Sequence, residues 1–426
     1  MAEDVKVPEG WRKIPLLEKL AFIKGKAPRK FYNFKEKNTI RYLTPECLRG
    51  RNNETLYCNI YEAEIVNDDV VVLWDGSNAG EIFFAKDGAI ASTMAKIEID
   101  EKSHKRFFYY YLKLYEPILK YQIKGSGIPH VEKDIFGLLP NTFPSLPEQH
   151  KIAEILETVD NAIEKTDRII EKYKRIKQGL MQDLLTRGIA ESDELGVMSY
   201  ELRDEKKHRF KDSPLGRIPE EWKVVELGEV ADVRGGKRLP KGEDFAASQT
   251  LFPYIRLVDI KGMNINLSAV KYIQEKTWKR IRRYTISKDD IMLSIAGTIG
   301  LVALIPEALD GANLTENAAK LTTLRYFGKR FLAYYLTFHK AQRQIETLMG
   351  IVAQPKLALF RIKQLKIPLP PLPEQHRITS ILSQIDEAIE KEKKYKEKLE
   401  RIKWGLMEDL LTGNVRVNHL IEKVEA

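Results

Sequence analysis

Residues 146–186 read LPEQHKIAEILETVDNAIEKTDRIIEKYKRIKQGLMQDLLT, and residues 372–412 read LPEQHRITSILSQIDEAIEKEKKYKEKLERIKWGLMEDLLT. The two stretches align without a gap and share about 25 of 41 residues, far more than chance gives within one chain. The sequence therefore predicts a chain built by internal duplication, with these two stretches as its most constant part.

Both stretches have the pattern of long helices. Each opens with a proline followed by a glutamate, and neither contains a second proline. Apolar residues recur in alternating steps of three and four, from Ile152 to Leu180 and from Ile378 to Leu406, with polar residues at Thr166 and Glu392. This spacing is typical of a coiled-coil seam, and roughly 40 residues make a rod of about 60 Å. A plain dimerisation coiled coil is the alternative, but both partners lie in one chain.

The duplication extends into the regions before the helices. The sequence VPEGWR at 7–12 corresponds to IPEEWK at 218–223, and FFYYYL at 107–112 corresponds to FLAYYL at 331–336. Between such matches the two halves differ almost completely. Each half is therefore expected to be one scaffold with different contents.

The regions before the helices are predicted to be α/β (α+β) domains of about 140–150 residues. Short β-branched runs predict strands, and two amphipathic stretches predict helices at 107–119 and 331–349. The predicted strands are 69–73, 81–84, 291–295, 301–305 and 321–324. The predicted segments are a first domain (1–145), a first helix (146–188), a connector (189–213), a second domain (214–371), a second helix (372–414) and a tail (415–426).

The connector is short, and its length bears on how the helices pair. A parallel pairing would require it to return along the whole rod, whereas an antiparallel pairing leaves little distance to cover. We therefore expect two domains related by a pseudo-two-fold axis and separated by two long antiparallel coiled-coil helices.

Composition narrows the classes of partner and compartment. The chain carries 70 Lys and Arg against 61 Asp and Glu, a net charge of +9, which favours a polyanionic partner. No apolar run approaches a membrane span, and the first residues lack a signal-peptide core, so no membrane association is expected. The only cysteines, Cys47 and Cys58, give no disulfide framework, which indicates a reducing cytoplasm. Abundant Lys, Glu and Ile suggest a thermophilic source.

Catalytic motifs are missing from the sequence. It contains no GxxxxGK[ST], HExxH, GxSxG or CxxC motif, and no Asn/Asp-Pro-Pro-aromatic motif for amino-group methylation. Gly-rich runs at 125–127 and 235–237 are interpreted as turns. Asp75, Glu81 and Lys86 form only a loose nuclease-like set, with no counterpart of Asp75 in the second half. We predict no catalytic residue and no metal site.

Basic residues interleaved with turn and aromatic residues indicate DNA binding, because they can neutralise phosphates and read guanine edges. A solvated basic face is the alternative, but clusters recur at equivalent places in both halves. The predicted DNA-binding residues are Lys26, Arg29, Lys30, Arg234, Lys237, Arg238, Lys279, Arg280, Arg282 and Arg283.

The Glu-Gln-His triplet occurs at the start of both helices. Glu148 and His150 in the first helix, and Glu374 and His376 in the second, lack a nucleophile or a third orienting group. We predict a surface role for these four residues, either in capping the helix or as docking sites for a partner protein.

The doubled LPEQ helix, the two variable domains and the sequence PLGRIPEEW at 214–222 resemble the specificity (S) subunit of type I restriction–modification enzymes. The resemblance covers nearly the whole chain, although VPEGW at 7–11 is a shortened form of the motif. It implies two target-recognition domains, each reading one half of a bipartite, asymmetric sequence in double-stranded DNA. It also implies that the repeated helices set the half-site spacing.

The same resemblance implies a non-catalytic subunit with partners. Two methyltransferase (M) subunits would dock on the helices, and endonuclease–translocase (R) subunits would then join. S-adenosylmethionine, ATP and Mg would act in those partners, with no cofactor in this chain. Two other hypotheses stay open: an enzyme whose own domain cuts or methylates DNA, and a coiled-coil adaptor that binds no DNA.

Overall fold

The computed structural model describes residues 7–51, 54–100, 103–121, 129–194, 197–349 and 356–421. The chain forms two compact units: Met1–Ile169 with Glu392–Ala426, and Ile170–Lys391. These unit boundaries fall within the two long helices rather than at their ends. Each unit therefore combines one domain with a segment of each long helix, and each contains residues from both halves of the chain.

The first half of the chain contains the strands and helices of the first domain and the first long helix. Its strands are β1 (Arg12–Lys13), β2 (Leu20–Lys24), β3 (Phe31–Tyr32), β4 (Thr39–Leu43), β5 (Tyr57–Asn59), β6 (Glu64–Leu73), β7 (Ile82–Ile90), β8 (Met94–Ile99) and β9 (Thr142–Phe143). Its helices are α1 (Leu16–Lys19), α2 (Pro45–Leu48), α3 (Lys105–Leu114), α4 (Glu116–Tyr121) and α5 (Leu146–Leu184).

A seven-stranded sheet organises the first unit. Its order is β2-β8-β6-β7-β4-β5-β3, antiparallel except where β4 pairs with β7. Side chains of β6 alternate between two faces, as strand geometry requires. Val70 and Val72 belong to a core that also contains α3, the start of α5 and the end of α11 (Leu372–Leu411), whereas Val71 and Leu73 belong to a core on the other side.

The second half of the chain continues the numbering. Its strands are β10 (Ile189–Glu194), β11 (Val197–Leu202), β12 (Phe210–Lys211), β13 (Ile218–Pro219), β14 (Lys223–Glu226), β15 (Asp232–Gly235), β16 (Pro253–Ile255), β17 (Ile260–Lys261), β18 (Asn264–Ile265), β19 (Lys271–Tyr272), β20 (Thr285–Ile286), β21 (Ile291–Ser294), β22 (Val302–Leu304), β23 (Ala312–Leu314), β24 (Ala318–Thr322) and β25 (Lys366–Leu369). Its helices, besides α11, are α6 (Leu227–Val230), α7 (Glu275–Ile281), α8 (Lys329–Thr337), α9 (His339–Met349) and α10 (Leu359–Ile362).

The second unit repeats the core of the first with different insertions. The sheet β15-β24-β21-β22 follows the order of β2-β8-β6-β7, and the parallel pair β16–β23 corresponds to β4–β7. Where β7 is one strand, the second unit has β22 and β23 in two separate sheets. The segment between β16 and β21 contains α7 and four short strands, whereas the matching segment of the first unit holds α2 and β5. The units therefore share a scaffold and differ at one end of it.

The predicted elements are present with shifted boundaries. The strand predicted at 321–324 ends at Thr322, because Thr323 adopts a positive φ of 53° that an extended strand does not allow. The helix predicted at 107–119 is interrupted at Tyr115, and the one predicted at 331–349 is interrupted at Phe338. Each predicted helix is therefore two shorter helices.

The predicted connector, 189–213, is a folded part of the second unit rather than a simple link. Its strands β10 and β11 form an antiparallel hairpin, and β12 pairs with β13. The Ile189 amide donates a hydrogen bond to Glu374 Oε1 at 2.8 Å, so the chain leaving α5 contacts the beginning of α11. Polar composition suggested a linker, but backbone pairing within the hairpin orders it.

Within each unit, the segments of α5 and α11 run in opposite directions. In the first unit Lys396 Nζ lies 2.7 Å from Asp167 Oδ1, and Lys403 Nζ lies 2.6 Å from Asp160 Oδ1. Residue numbers thus rise on one segment while they fall on the other. In the second unit the end of α5 contributes Leu184 to a core that contains Ile378 from the start of α11.

Each domain also bonds to the first half of the long helix that follows it. The Tyr110 hydroxyl donates to Asp160 Oδ2 at 2.7 Å, and the Tyr334 hydroxyl donates to Asp386 Oδ2 at the same distance. Burial is the main cause that raises the pKa of both tyrosines, and the neighbouring carboxylates raise it further. Both hydroxyls therefore stay protonated and can donate.

The side chain of the LPEQ glutamate is almost fully enclosed at the start of each helix. Glu148 is 1% exposed and accepts hydrogen bonds from Arg416 Nε at 2.7 Å and Nη2 at 2.9 Å. Glu374 accepts from Arg203 and from Trp222 Nε1, the latter at 3.0 Å. In each case the arginine lies in the segment that follows the other helix, so the carboxylate ties the two helices together inside one unit.

The LPEQ glutamine completes this link. Gln149 Oε1 accepts from the His104 amide at 3.0 Å, and Gln375 Oε1 accepts from the Gly328 amide at 2.9 Å. His104 and Gly328 are the N-terminal cap residues of α3 and α8. The motif therefore joins each long helix to the central helix of its own domain.

None of the helices in the described ranges combines the length and apolar character needed to span a membrane.

We predict that Glu374→Ala destabilises the second unit by about 3–5 kcal/mol, because it leaves the Arg203 guanidinium buried without its main anion. Chemical denaturation would measure the change in the free energy of unfolding. Glu387→Ala, an exposed position on the same helix, is the control and should change stability by less than about 0.5 kcal/mol. Equal effects of the two substitutions would contradict the role assigned to Glu374.

Candidate nucleic-acid interface

In each domain a basic loop begins directly after a glycine, and the two glycines, Gly25 and Gly236, occupy equivalent places in the structure. The Gly25 amide donates to Met94 O at 2.9 Å, and the Gly236 amide donates to Ala318 O at 3.0 Å, each at the first residue of the matching strand β8 or β24. A Cβ on Gly25 would lie 2.2 Å from the Ala91 carbonyl oxygen, so no side chain fits there. A Cβ on Gly236 would meet a carbonyl oxygen equally closely, at 2.1 Å. Lys26 and Lys237 follow directly.

In the first unit the three predicted residues lie on one exposed loop. Lys26, Arg29 and Lys30 are all exposed. The Arg29 amide donates to Glu62 Oε2 at 3.1 Å, and Lys30 Nζ lies 4.7 Å above the ring of Tyr32. The loop is therefore anchored through its backbone, while its cationic side chains face solvent.

In the second unit the residues after the equivalent glycine are exposed as well. Arg238 pairs with Glu316 at 2.5 Å, and Lys237 Nζ lies 5.7 Å from the ring of Tyr284. Arg234, on β15, is exposed and lies 3.7 Å from an oxygen of Asp232. Tyr284 directly follows the predicted cluster at 279–283, so the structure brings this cluster close to the predicted residues around Lys237.

The predicted cluster at 279–283 spans the last turn of α7 and the residues directly after it, and the backbone there is fixed by hydrogen bonds. The buried Asn313 side chain on β23 donates to Ile281 O at 2.9 Å, and the Leu314 amide donates to Tyr284 O at the same distance. Lys279, Arg280, Arg282 and Arg283 are exposed at or just after this end of the helix. These four residues therefore form a basic, solvent-exposed surface whose backbone is held in place by hydrogen bonds.

Glu243 connects the loop after Gly236 to α7. Its carboxylate accepts from the Thr277 hydroxyl at 2.8 Å and lies 3.3 Å from Lys276 Nζ and 3.5 Å from Arg280 Nη1. The hydrogen bond from Thr277, more than the two cations, lowers the pKa of Glu243. Glu243 was not among the predicted residues, since only the fold brings it beside residues more than thirty positions away.

The four predicted docking residues divide into two kinds. Glu148 and Glu374 lie inside the fold, in the ion pairs described above, whereas His150 and His376 are exposed. The His150 ring lies 4.0 Å from the ring of His104. Burial, then the proximity of His150, lowers the pKa of His104 to about 4, so His104 is neutral at physiological pH. The carboxylates of the motif are structural, and the histidines remain available at the surface.

The loose acidic set is engaged in ion pairs. Asp75 pairs with Lys24 at 3.0 Å, and Glu81 pairs with Arg49. Across the described residues, no three His, Cys, Asp or Glu side chains are placed to hold a metal ion. The glycine run at 125–127 lies outside the described residues.

Comparison with protein families gives one match that covers most of the chain. The model of the type I restriction modification DNA specificity domain matches residues 8–174 and 219–401. Each match covers one domain and most of the helix after it, in agreement with the duplication.

Relatives and solved structures agree with this match. The chain is 32% identical to the MjaVIII specificity subunit of Methanocaldococcus jannaschii, over 98% of this chain and 95% of that protein. It is 26% identical to the EcoBI specificity subunit of Escherichia coli, over 75% and 66% of the two chains. The crystal structure of an S subunit from M. genitalium superposes with a TM-score of 0.58 at 17% identity, over 96% of this chain and 97% of that one.

We predict that Glu243→Gln lowers discrimination between matched and scrambled DNA duplexes while overall DNA affinity rises slightly. The substitution removes an anion from the basic surface and weakens the tether of α7. Competition binding with matched and scrambled duplexes would measure both effects.

Glu275→Gln is the matched control, because Glu275 lies on α7 itself and its carboxylate lies 2.8 Å from Lys279 Nζ on the same helix. It removes the same charge but leaves the tether between α7 and the loop intact. If both variants kept full discrimination, Glu243 would have no positioning role.

Proposed function

Because this chain belongs to the type I restriction–modification DNA specificity family, we propose that it reads a bipartite, asymmetric target in double-stranded DNA. The strongest support is a pair of basic loops, one in each domain, that begin after the equivalent glycines Gly25 and Gly236. The two domains share a core but carry different insertions. A shared scaffold with unlike reading surfaces suits two unlike half-sites. The basic side chains supply phosphate contacts, and arginines supply the base contacts.

The long helices are proposed to pair as an antiparallel coiled coil that fixes the distance between the half-sites. They contain 39 and 40 residues, a length of about 60 Å. Adjacent major-groove sites on one side of B-DNA lie about 34 Å apart, which domains held on such helices could reach. Ion pairs between the segments within each unit support a defined register.

The helices are also proposed to dock two methyltransferase subunits, with endonuclease–translocase subunits joining the complex. Two copies of one sequence offer two equivalent surfaces. The equivalent residues Ile176 and Ile402 are both partly solvent-exposed apolar side chains, and His150 and His376 are exposed at the helix starts. Partner chemistry would then use S-adenosylmethionine, ATP and Mg, and this subunit would be non-catalytic and cytoplasmic.

Lengthening the helices tests the spacing role. We predict that seven residues inserted after Lys172 and after Lys391 widen the gap in the methylated sequence by up to about three base pairs, since seven residues add about 10 Å. One heptad preserves the apolar seam on both helices. The half-site sequences should stay the same. An unchanged gap in a folded, active complex would contradict the role of the helices as a spacer.

Replacing Arg282 and Arg283 with alanine tests the reading surface of the second unit. We predict reduced discrimination at the second half-site only, by about 1–3 kcal/mol for each arginine that reads a base. Binding to duplexes with single-base changes would measure this, with Lys223→Ala, an exposed position on β14, as the control. A uniform decrease in affinity for all sequences, with a shallower salt dependence, would instead assign both arginines to phosphates.

A further inference from the structure

The basic loop of the first unit also exposes large aromatic side chains. Residues 26–37 contain five Lys or Arg residues and one acid, Glu36. Within this segment Phe34 is 65% exposed, and Tyr61, on an adjoining segment, is 78% exposed. Exposing a large aromatic ring to water costs free energy, so such rings often mark a binding surface. Because these rings lie among cationic side chains, they fit a polyanionic partner that also has apolar faces.

One hydrogen bond joins the segment that contains Tyr61 to the segment that contains Phe34, and a second hydrogen bond closes the turn within the latter. The Ile60 amide donates to Asn38 O at 3.1 Å, and the Thr39 hydroxyl donates to Glu36 O at 2.8 Å. Asn38 has a positive φ of 59°, which closes the turn that presents Phe34. β3 and β5 pair beside this turn. Phe34 and Tyr61 therefore lie on backbone segments that are held by hydrogen bonds.

Resting on the proposed function, we infer that Phe34 and Tyr61 insert against the bases of the first half-site and unstack a base step there. DNA combines the two features that this surface matches: phosphates for the lysines and stacked π-faces for the rings. Apolar side chains that enter a duplex in this way partly unstack and kink it. The first unit would then recognise the deformability of its half-site as well as base edges.

The second unit differs at the corresponding place. After Lys237 and Arg238 its chain continues with Leu239 and Pro240, and Leu239 packs against the small core that includes Tyr254. Phe245 lies nine residues after Gly236, as Phe34 lies nine residues after Gly25, but Phe245 is only 37% exposed and its ring packs against that of Tyr254 at a centroid distance of 5.6 Å. The unstacking is therefore assigned to the first half-site only.

Fluorescence of 2-aminopurine tests this assignment in the complex of the full chain with its cognate methyltransferase. 2-Aminopurine pairs with thymine, so it would replace in turn each adenine on either strand of both half-sites, except a methylated adenine, which the methyltransferase is expected to extrude. Binding should raise fluorescence several-fold at one step of the first half-site. Phe34→Ala or Tyr61→Ala should abolish that rise and weaken binding about 5- to 150-fold.

Tyr121→Ala is the matched control, since Tyr121 is 90% exposed at the end of α4, away from the loop in sequence. It should leave both readouts unchanged. Binding with no fluorescence change in the first half-site, or a change that persists in both alanine variants, would overturn the inference. Failure of the proposed function would look different, because the wild-type complex would then show no sequence-specific binding at all.

Discussion

A buried carboxylate at the start of each long helix is the interaction on which both units depend. Glu148 and Glu374 sit in the first helical turn, where negative charge is favoured, and each is neutralised by an arginine from the segment after the other helix. Each unit is therefore completed by residues from the other half of the chain. The repeated LPEQ sequence follows from this, since the proline starts the helix, the glutamate bonds across to the other segment and the glutamine bonds back to the domain.

Contact with the long helices distinguishes the parts of the chain that recur in both halves from the parts that differ. Residues that touch the helices recur in both halves: Tyr110 and Tyr334 bond equivalent aspartates, and α3 and α8 pack in the same core position. Among the described residues, the segments between the matching strands β4 and β6 and between β16 and β21 contain different elements. The second unit has α7 in this region, whereas the first unit has the basic loop with the exposed aromatic residue Phe34 nearby. A scaffold fixed at one end leaves the other end free to change its target.

Sequence alone predicted the long helices, the duplication and the equivalence of the basic clusters, because periodicity and repetition are local signals. It did not predict that the side chains of Glu148 and Glu374 are enclosed, since a repeated charge at a helix start suggests an exposed site. Glu243 was missed because its partners lie on α7, and only tertiary structure joins them. The hairpin within 189–202 was missed for a related reason, since its polar strands lack the apolar alternation that marks a half-buried strand.

Sequencing the DNA that is methylated by the purified complex of this chain with its cognate methyltransferase tests the central proposal most directly. Two unlike half-sites separated by a gap of fixed length are the expected result, because the proposal places two unlike reading surfaces on helices of fixed length. Methylation at a short uninterrupted palindrome, or half-sites separated by variable gaps, would contradict the proposal that two different readers are held at a set distance.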